Sequence, residues 1–141
     1  EELIIANCDQ VMNQQSWNID LVLKQLRKYD AALVTINSQD TKHSYAVTQD
    51  NFVVEVVEKN VVSEIALTGI HYWKHASDFV TSAKDMIANG RRSHNGEYYI
   101  GPTYNELIKS GKKVGICMIP KHAIHFIGTP DDLEQYESRK T

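Results

Sequence analysis

Residues 3–9 read LIIANCD, and this stretch decides the predicted fold. A short apolar run that ends in polar residues is typical of a fully buried β-strand. Here the run leads directly to an acid, Asp9. Open α/β sheets bind their ligands at the carboxyl ends of their strands. The stretch therefore predicts a buried strand of an α/β sheet, with Asp9 at a position where such sheets carry ligand chemistry.

The residues after this strand predict a βαβ unit. SWNIDLVLKQLRKYD (16–30) has apolar residues at helical spacing, with Ser16 or Asn18 as the N-cap. AALVTIN (31–37) then has the pattern of a second buried strand. A helix that crosses over between two strands is typical of a parallel pair. We therefore expect the first and second strands to pair in parallel.

The rest of the chain alternates predicted strands and helices. The further strands are HSYAVT (43–48), FVVEVVEK (52–59), VVSEIALTGIHYW (61–73) and KVGICMI (113–119). The further helices are ASDFVTSAKDMIANG (76–90), PTYNELIKSG (102–111) and GTPDDLEQYE (128–137). No repeat, low-complexity tract or linker interrupts them. Residues 1–141 are therefore predicted to form a single α/β domain.

Composition argues against several classes of function. The 141 residues carry a net charge of -3 and are 42% hydrophobic, which is ordinary for a globular protein. The apolar runs are far shorter than the roughly 20 residues of a membrane span, and the basic residues form no broad patch for nucleic acid. Cys8 and Cys117 lie in or beside apolar runs without CxxC spacing. They are predicted to be reduced, buried thiols, which favours a cytoplasmic location.

Four stretches, in this order, resemble the sugar-phosphate nucleotidyltransferases, the pyrophosphorylases that make nucleoside-diphosphate sugars. LIIANCD resembles the family's strand that ends in an acid, and EVVEKN (55–60) resembles its Glu-Lys-Pro motif. ALTGIHYW (66–73) resembles its Thr/Ala-Gly-Ile-Tyr strand, and FIGTPDDLEQY (126–136) resembles its closing Gly-Thr-Pro segment. Between these two, NGEYYIGPTYNELIKSGKKV (95–114) is similar to a Glu-containing loop and its helix. Order and spacing together carry the resemblance.

The resemblance implies a fold and a reaction. The fold would be a three-layer α/β/α Rossmann-like one with a mixed, mainly parallel sheet. The reaction would join a sugar 1-phosphate, or a similar phosphorylated metabolite, to an NTP with release of pyrophosphate, in nucleotide-sugar and polysaccharide biosynthesis. The family's glycine-rich nucleotide loop and activating lysine match nothing here. We therefore expect residues 1–141 to be the C-terminal, sugar-phosphate-binding and metal-binding part of a catalytic domain, inactive by itself.

The resemblance also assigns roles to single residues. Asp9 resembles the acid that binds the divalent metal, expected here to be Mg²⁺. Lys59 resembles the lysine that meets the sugar phosphate, and it is expected to be catalytic together with Asp9. Glu58 and Glu97 resemble acids that bind sugar hydroxyls. Gly69 resembles the glycine that lets a sugar approach the backbone.

Asn105 is expected to line the same pocket, together with Tyr104 unless that ring belongs to the core. Plainer interpretations stay open for the other residues. Asp9 is also typical of a residue that caps a turn. Glu58 and Lys59 are also typical of an exposed charge pair at a strand end, and Glu97 of a solvated acid after the Asn-Gly turn. Gly69 could equally mark a β-bulge.

Two departures from the family pattern keep other functions open. Asn60 replaces the usual proline, and Phe126 stands where many members have a second metal-binding Asp. One alternative is a non-catalytic domain of the same fold that binds a sugar nucleotide or serves assembly. Another is a metal-dependent glycosyltransferase, although that class usually has Asp-x-Asp and NCDQV has one Asp.

Histidine pairs raise the further question of zinc. His71 and His75 are four residues apart, and His122 and His125 are three apart. His71 lies in a predicted strand and His75 at a helix start, so their spacing does not place them on one face. Zinc is therefore not predicted.

The partners expected are an NTP and a sugar phosphate, with no nucleic acid and no membrane span, and a homo-oligomer stays an alternative to a monomer.

Overall fold

The structure is a computed structural model that describes residues 1–139. Its strands are β1 (Leu3–Ala6), β2 (Gln10–Met12), β3 (Ala31–Asn37), β4 (Tyr45–Gln49), β5 (Phe52–Val57), β6 (Ile65–Trp73), β7 (Val114–Met118) and β8 (Ile124–Phe126). Its α-helices are α1 (Ile19–Leu26), α2 (Ala76–Ala88), α3 (Thr103–Lys109) and α4 (Pro130–Arg139). The Asn18 side chain caps α1 by accepting from the Leu21 N–H. This is one of the two caps that the sequence predicts.

Six strands form the main sheet, in the order β5-β4-β6-β3-β7, with β1 as an additional partner of β6. β3 pairs with one edge of β6 at residues 65–67 and 70–73, and the register shifts between Val34 and Thr35, so Thr68 and Gly69 are skipped. β1 and β4 therefore share the other edge. β1 pairs with residues 70–73 of β6, and β4 pairs with it at Ala66. Beyond these strand pairs, the Leu67 N–H donates to the Ser44 carbonyl and the Gly69 carbonyl accepts from the Asn7 N–H, so the gap between β1 and β4 lies beside Thr68.

The structure confirms a mixed α/β fold but corrects the predicted strand pairing. β1 and β3 do not pair, because β6 lies between them and is antiparallel to both. Within residues 1–139, the parallel strand pair is β3 with β7, and the other pairs are antiparallel. The sheet of this part is therefore not mainly parallel. A crossover helix makes the two strands that it connects run in the same direction. It does not prevent a strand from later in the chain from lying between them.

Helices cover both faces of this sheet, which confirms the three layers. On one face, Val34 and Ile36 of β3 pack in a core cluster with Val22 and Leu26 of α1. The small β2–β8 sheet adds Ile124 to the same cluster.

On the other face, Leu33 of β3 packs with Tyr104 of α3. The indole of Trp73 stacks on the Tyr104 ring at 4.4 Å, and the Phe79 ring of α2 meets the same indole edge-on. Alternation along β3 therefore supplies two cores, one for each helical layer.

The first strand and the cysteines are less buried than predicted. Ile4 in β1 is 45% exposed, and the strand alternates half-buried and exposed residues. Among the described residues, β1 pairs through one edge, which leaves part of it open. Both cysteines are free, but Cys8 is exposed and Cys117 is half-buried. No helix in residues 1–139 is both long enough and apolar enough to cross a membrane.

Candidate functional site

A cavity of about 410 Å³ opens at the gap where β1 and β4 leave the same edge of β6. Small-molecule sites have volumes in this range. Four residues predicted from the sequence line it together, although they come from three separate segments of the chain: Asp9, Glu58, Lys59 and Gly69. The predicted residues Glu97 and Asn105 lie outside its lining.

Asp9 lies in the turn between β1 and β2, where its position is fixed by the backbone. Its carbonyl accepts a hydrogen bond of 2.9 Å from the Ile127 N–H. Its carboxylate lies against Gly128, where a Cβ would stand 2.6 Å from Oδ2. The glycine of the Gly-Thr-Pro segment therefore makes room for Asp9. Within residues 1–139 the carboxylate makes no hydrogen bond or ion pair, so its oxygens are free for a ligand in the cavity.

Glu58 and Lys59 follow β5, and both side chains reach the cavity. Consecutive side chains of a strand point to opposite faces, so this arrangement needs a break in the strand. Lys59 provides it with a φ of 50°, a left-handed conformation that is uncommon for a residue with a side chain. The Ser44 hydroxyl donates a hydrogen bond to Glu58 Oε2. The Lys59 ammonium lies 5.4 Å from the centre of the Tyr99 ring.

Gly69 lies in the middle of β6 at the floor of the gap. Its φ is 86°, a conformation that favours glycine. A Cβ at this position would stand 2.2 Å from Nδ2 of Asn7, so the Asn7 amide fills the space that the missing side chain leaves. The Gly69 carbonyl also accepts from the Asn7 N–H at 3.0 Å. The register of β3 against β6 skips Thr68 and Gly69, so Gly69 lies at the β-bulge that was the plainer interpretation of this glycine. Close approach of a sugar to Gly69 stays a prediction.

Glu97 and Asn105 hydrogen-bond residues of the cavity wall or of the strand that leads to it, without lining the cavity, and Glu97 is exposed. Glu97 accepts a hydrogen bond of 2.8 Å from the Tyr99 hydroxyl, and Tyr99 lines the cavity. The Asn105 side chain bonds both backbone groups of Val56, each at 2.8 Å, two residues before Glu58. Binding of substrate by Glu97 and Asn105 stays a prediction. Tyr104 has the core position that the sequence left open.

Several lining residues were not predicted from the sequence. Lys42 Nζ lies 3.5 Å from Oδ1 of Asp132 in α4, and it stands over the Phe126 ring at 5.7 Å. Phe126 also contacts the His43 ring, with ring centres 4.8 Å apart. Lys42 and Asp132 are separated by 90 residues, so no motif spacing could reveal them. Phe126, at the position where the resemblance predicts an acid, therefore lies under a lysine ammonium instead.

Two histidines of the cavity, His43 and His71, are buried and neutral near pH 7. Burial lowers the pKa of His43, and it lowers the pKa of His71 from 6.5 to about 4. A neutral imidazole can still donate one hydrogen bond and accept another. In the described part of the chain, no three His, Cys, Asp or Glu side chains converge to hold a metal by themselves. A cation bound here would therefore take its ligands partly from Asp9 and partly from a bound substrate.

Comparison with solved structures identifies the fold. The crystal structure of the nucleoside-diphosphate-sugar pyrophosphorylase from Vibrio cholerae RC9 matches 96% of this chain with a TM-score of 0.84 and 23% sequence identity. The chain has the fold of the sugar-phosphate nucleotidyltransferases. A putative glucose-1-phosphate thymidylyltransferase from Bacillus anthracis matches 98% of the chain, with a TM-score of 0.66 and 17% identity. The CTP:phosphocholine cytidylyltransferase from Streptococcus pneumoniae also matches 98%, with a TM-score of 0.67 and 17% identity.

The comparisons also show how much of these proteins the chain represents. It spans 55% of the Vibrio protein, 54% of the Bacillus protein and 57% of the Streptococcus protein. No family model matches the sequence. No curated protein matches it either. The solved structures thus confirm, at the level of the fold, the resemblance seen in the sequence motifs.

Proposed function

We propose that this chain forms the acceptor-binding side of a nucleotidyltransferase that joins a sugar 1-phosphate, or a similar phosphorylated metabolite, to an NTP and releases pyrophosphate. One observation carries the proposal. In a chain with the nucleotidyltransferase fold, a free carboxylate at Asp9 and an ammonium at Lys59 line the same cavity. A site that brings together two phosphorylated substrates needs such charges.

The chain's own residues have separate tasks in this reaction. An oxygen of the acceptor phosphate attacks the α-phosphorus of the NTP, and the bond to pyrophosphate breaks. The attacking oxygen is already ionised near pH 7, so no general base is needed. Lys59 would hold the acceptor phosphate, because an ammonium suits an anionic oxygen. Glu58, oriented by Ser44, would accept a hydrogen bond from a hydroxyl of the acceptor.

Asp9 is the residue that would hold Mg²⁺. Its carboxylate is a hard oxygen ligand, and Mg²⁺ is usually bound by one or two carboxylates together with substrate phosphates and water. Asp132 is already paired with Lys42, which leaves Asp9 as the acid of the cavity that is free of an ion pair or hydrogen bond in the described structure. A bound Mg²⁺ would neutralise part of the phosphate charge.

The remaining parts of the proposal concern context. We place the protein in the cytoplasm, in nucleotide-sugar and polysaccharide biosynthesis, and the two free cysteines fit a reducing compartment. We also propose that residues 1–141 are one domain that is inactive by itself, because the groups expected to bind the nucleotide have no match in this sequence. A homo-oligomer stays a prediction.

Pyrophosphate release tests the proposal. The full-length protein is incubated with each common NTP, with Mg²⁺, and with glucose 1-phosphate or phosphocholine. We expect one combination to release pyrophosphate and to form the activated product.

The presence of Phe126 in place of an acid favours a second candidate, a domain that binds these compounds without turnover. Calorimetric binding without pyrophosphate release would support that candidate and contradict the first.

A further inference from the structure

His71 is a polar residue in the wall of the cavity that the reaction described above does not use. It lies in β6, two residues after Gly69, and its side chain is 5% exposed. A buried histidine is usually held by hydrogen bonds, since an unpaired polar group in the interior costs stability. The partners of its ring nitrogens therefore indicate whether it serves the fold or the site.

Within residues 1–139, no group forms a hydrogen bond with the nitrogens of this ring. Nδ1 is fully buried and has no hydrogen-bond partner in the described residues. The ring lies 5.8 Å from the Tyr104 ring, but the Tyr104 hydroxyl is directed to the carbonyls of Ala32 and Tyr72. None of the hydrogen bonds within residues 1–139 involves the other nitrogen, Nε2, either. His71 is thus a buried polar side chain that lines a cavity without serving the surrounding hydrogen-bond network.

The surroundings also define which tautomer the ring adopts. Burial lowers the pKa of His71 to about 4, so near pH 7 it carries one N–H and one bare nitrogen. Nδ1 is sealed in the protein without an acceptor beside it. Buried N–H groups without an acceptor are rarer in proteins than unpaired acceptors. Nε2 is not among the fully buried unpaired atoms, and His71 lines the cavity, so the proton belongs on Nε2.

A neutral donor of this kind suits an uncharged part of a ligand. Lys42 and Lys59 line the same cavity and carry the positive charge that a phosphate prefers. His71 lines this cavity together with Gly69, and its ring lies beside the core residue Tyr104, so one N–H can meet one hydroxyl oxygen of a bound ligand. We propose that His71 is a specificity-determining residue whose Nε2–H donates a hydrogen bond to a hydroxyl of the acceptor substrate. This inference rests on the proposed function and assigns the acceptor to the polyol phosphates.

Paired substitutions in the full-length protein test the inference by calorimetric binding. His71→Leu keeps an apolar body and removes the donor, so we expect the dissociation constant of glucose 1-phosphate to rise about tenfold. The constants for NTP and for phosphocholine, which has no hydroxyl, should not change. His71→Gln places an amide N–H near the Nε2 position and should retain affinity for glucose 1-phosphate. His75→Leu, the same change at an exposed histidine outside the cavity, is the control.

Stability and spectroscopy separate this role from a structural one. Because Nδ1 has no partner, His71→Leu should unfold at the same temperature as the wild type or higher. In the wild-type protein, ¹⁵N NMR should show the proton on Nε2 of His71. That signal should shift when glucose 1-phosphate is added and stay in place with phosphocholine. This measurement needs no variant.

The outcomes distinguish the inference from the function on which it rests. If the wild type and His71→Leu bind glucose 1-phosphate equally, the inference about His71 is overturned while the proposed function stands. If phosphocholine alone binds, or if phosphocholine affinity falls equally in His71→Leu, the assignment to a hydroxyl is wrong. If neither NTP nor phosphorylated probe binds the wild type, the proposed function fails together with the inference.

Discussion

A carboxylate without an internal partner is the residue-scale feature on which the proposed chemistry depends. Asp9 is fixed through its backbone by Ile127, and its side chain lies against Gly128. The plainer interpretation, an aspartate that caps its own turn, requires the carboxylate to accept backbone hydrogen bonds. Within the described residues it accepts none. This geometry favours a ligand-binding role and leads to two predictions.

Asp9→Asn keeps the size of the side chain and removes its charge. If the charge holds Mg²⁺ at the substrate phosphates, kcat of the full-length protein should fall at least about a hundredfold, as when one preorganised electrostatic group is lost. The melting temperature should not change. Asp85→Asn, at an exposed position of α2, is the matched control and should retain activity. Normal turnover and normal Mg²⁺ dependence in the Asp9→Asn protein would show that Asp9 is only a turn residue.

Gly128→Ala tests the same carboxylate without changing it. The added Cβ would stand 2.6 Å from Asp9 Oδ2, so the carboxylate must move. We expect kcat to fall about tenfold or more, since small displacements of reacting groups are costly, while the protein remains folded. In the Asp9→Asn background the same change should have little further effect, because both act through one group. Independent, additive losses in the double variant would show that Gly128 acts by another route.

At the scale of elements, α3 anchors the edge strand that leads to Glu58 and Lys59. The Asn105 side chain takes the place of a neighbouring strand for Val56, donating to its carbonyl and accepting from its N–H. β5 is the outer strand of the sheet, and its free edge would otherwise lack partners at this point. The position of the two charged residues therefore depends on a helix that does not line the cavity.

Asn105→Ala should weaken both the fold and acceptor binding. It leaves two half-buried backbone groups of Val56 unpaired, so the free energy of unfolding in urea should fall by about 1–3 kcal/mol. KM for the acceptor should rise more than KM for NTP, because the end of β5 leads to Glu58 and Lys59. Asn89→Ala, at the exposed end of α2 and outside the cavity lining, provides the comparison. Unchanged stability in Asn105→Ala would show that the two hydrogen bonds contribute little.

Sequence patterns predict the elements well and their partners less well. The cap at Asn18 and the acid after β1 are local signals, and the structure places both as expected. The insertion of β6 between β1 and β3 depends on pairing between distant segments, which local patterns do not encode. At the site, motifs indicate Asp9, Glu58, Lys59 and Gly69, because each lies in a stretch that resembles the family. The resemblance assigns no role to Lys42, His71 or Asp132, although the last two lie in stretches that resemble the family, and their place in the cavity is seen only in the folded chain.

At the scale of the molecule, one polar cluster joins the start of the chain to both the sheet and α1. Glu2 accepts two-pronged hydrogen bonds from Arg27, with the shortest at 2.9 Å, and accepts from the Tyr72 hydroxyl at 2.6 Å. These hydrogen bonds lower the pKa of Glu2 from 4.5 to about 2, mainly through Arg27. Because the group is exposed, the gain is modest and sensitive to salt.

This cluster predicts a specific loss of stability in acid. A carboxyl whose pKa is lower in the folded state stabilises the fold above its unfolded pKa, and the contribution disappears as pH falls from about 4.5 to about 2. The buried His71 acts in the same direction between 6.5 and about 4. The melting temperature of Glu2→Gln should therefore lie below the wild type at pH 6, and the two should converge near pH 2. A constant difference between them over this range would contradict the assignment.

The pairing of β2 with β8 has a consequence for how the protein is made. Residues 10–12 pair with residues 124–126, so Asp9 reaches its place beside Gly128 only when the segment carrying both has left the ribosome. The residues of β3, β4, β5 and β6 are made before residues 124–126, and these four strands pair without β2 or β8. Contacts between such distant residues form late and slowly. During synthesis, the proposed site should therefore be completed only after β8 has been made, later than the pairing of β3, β4, β5 and β6 becomes available.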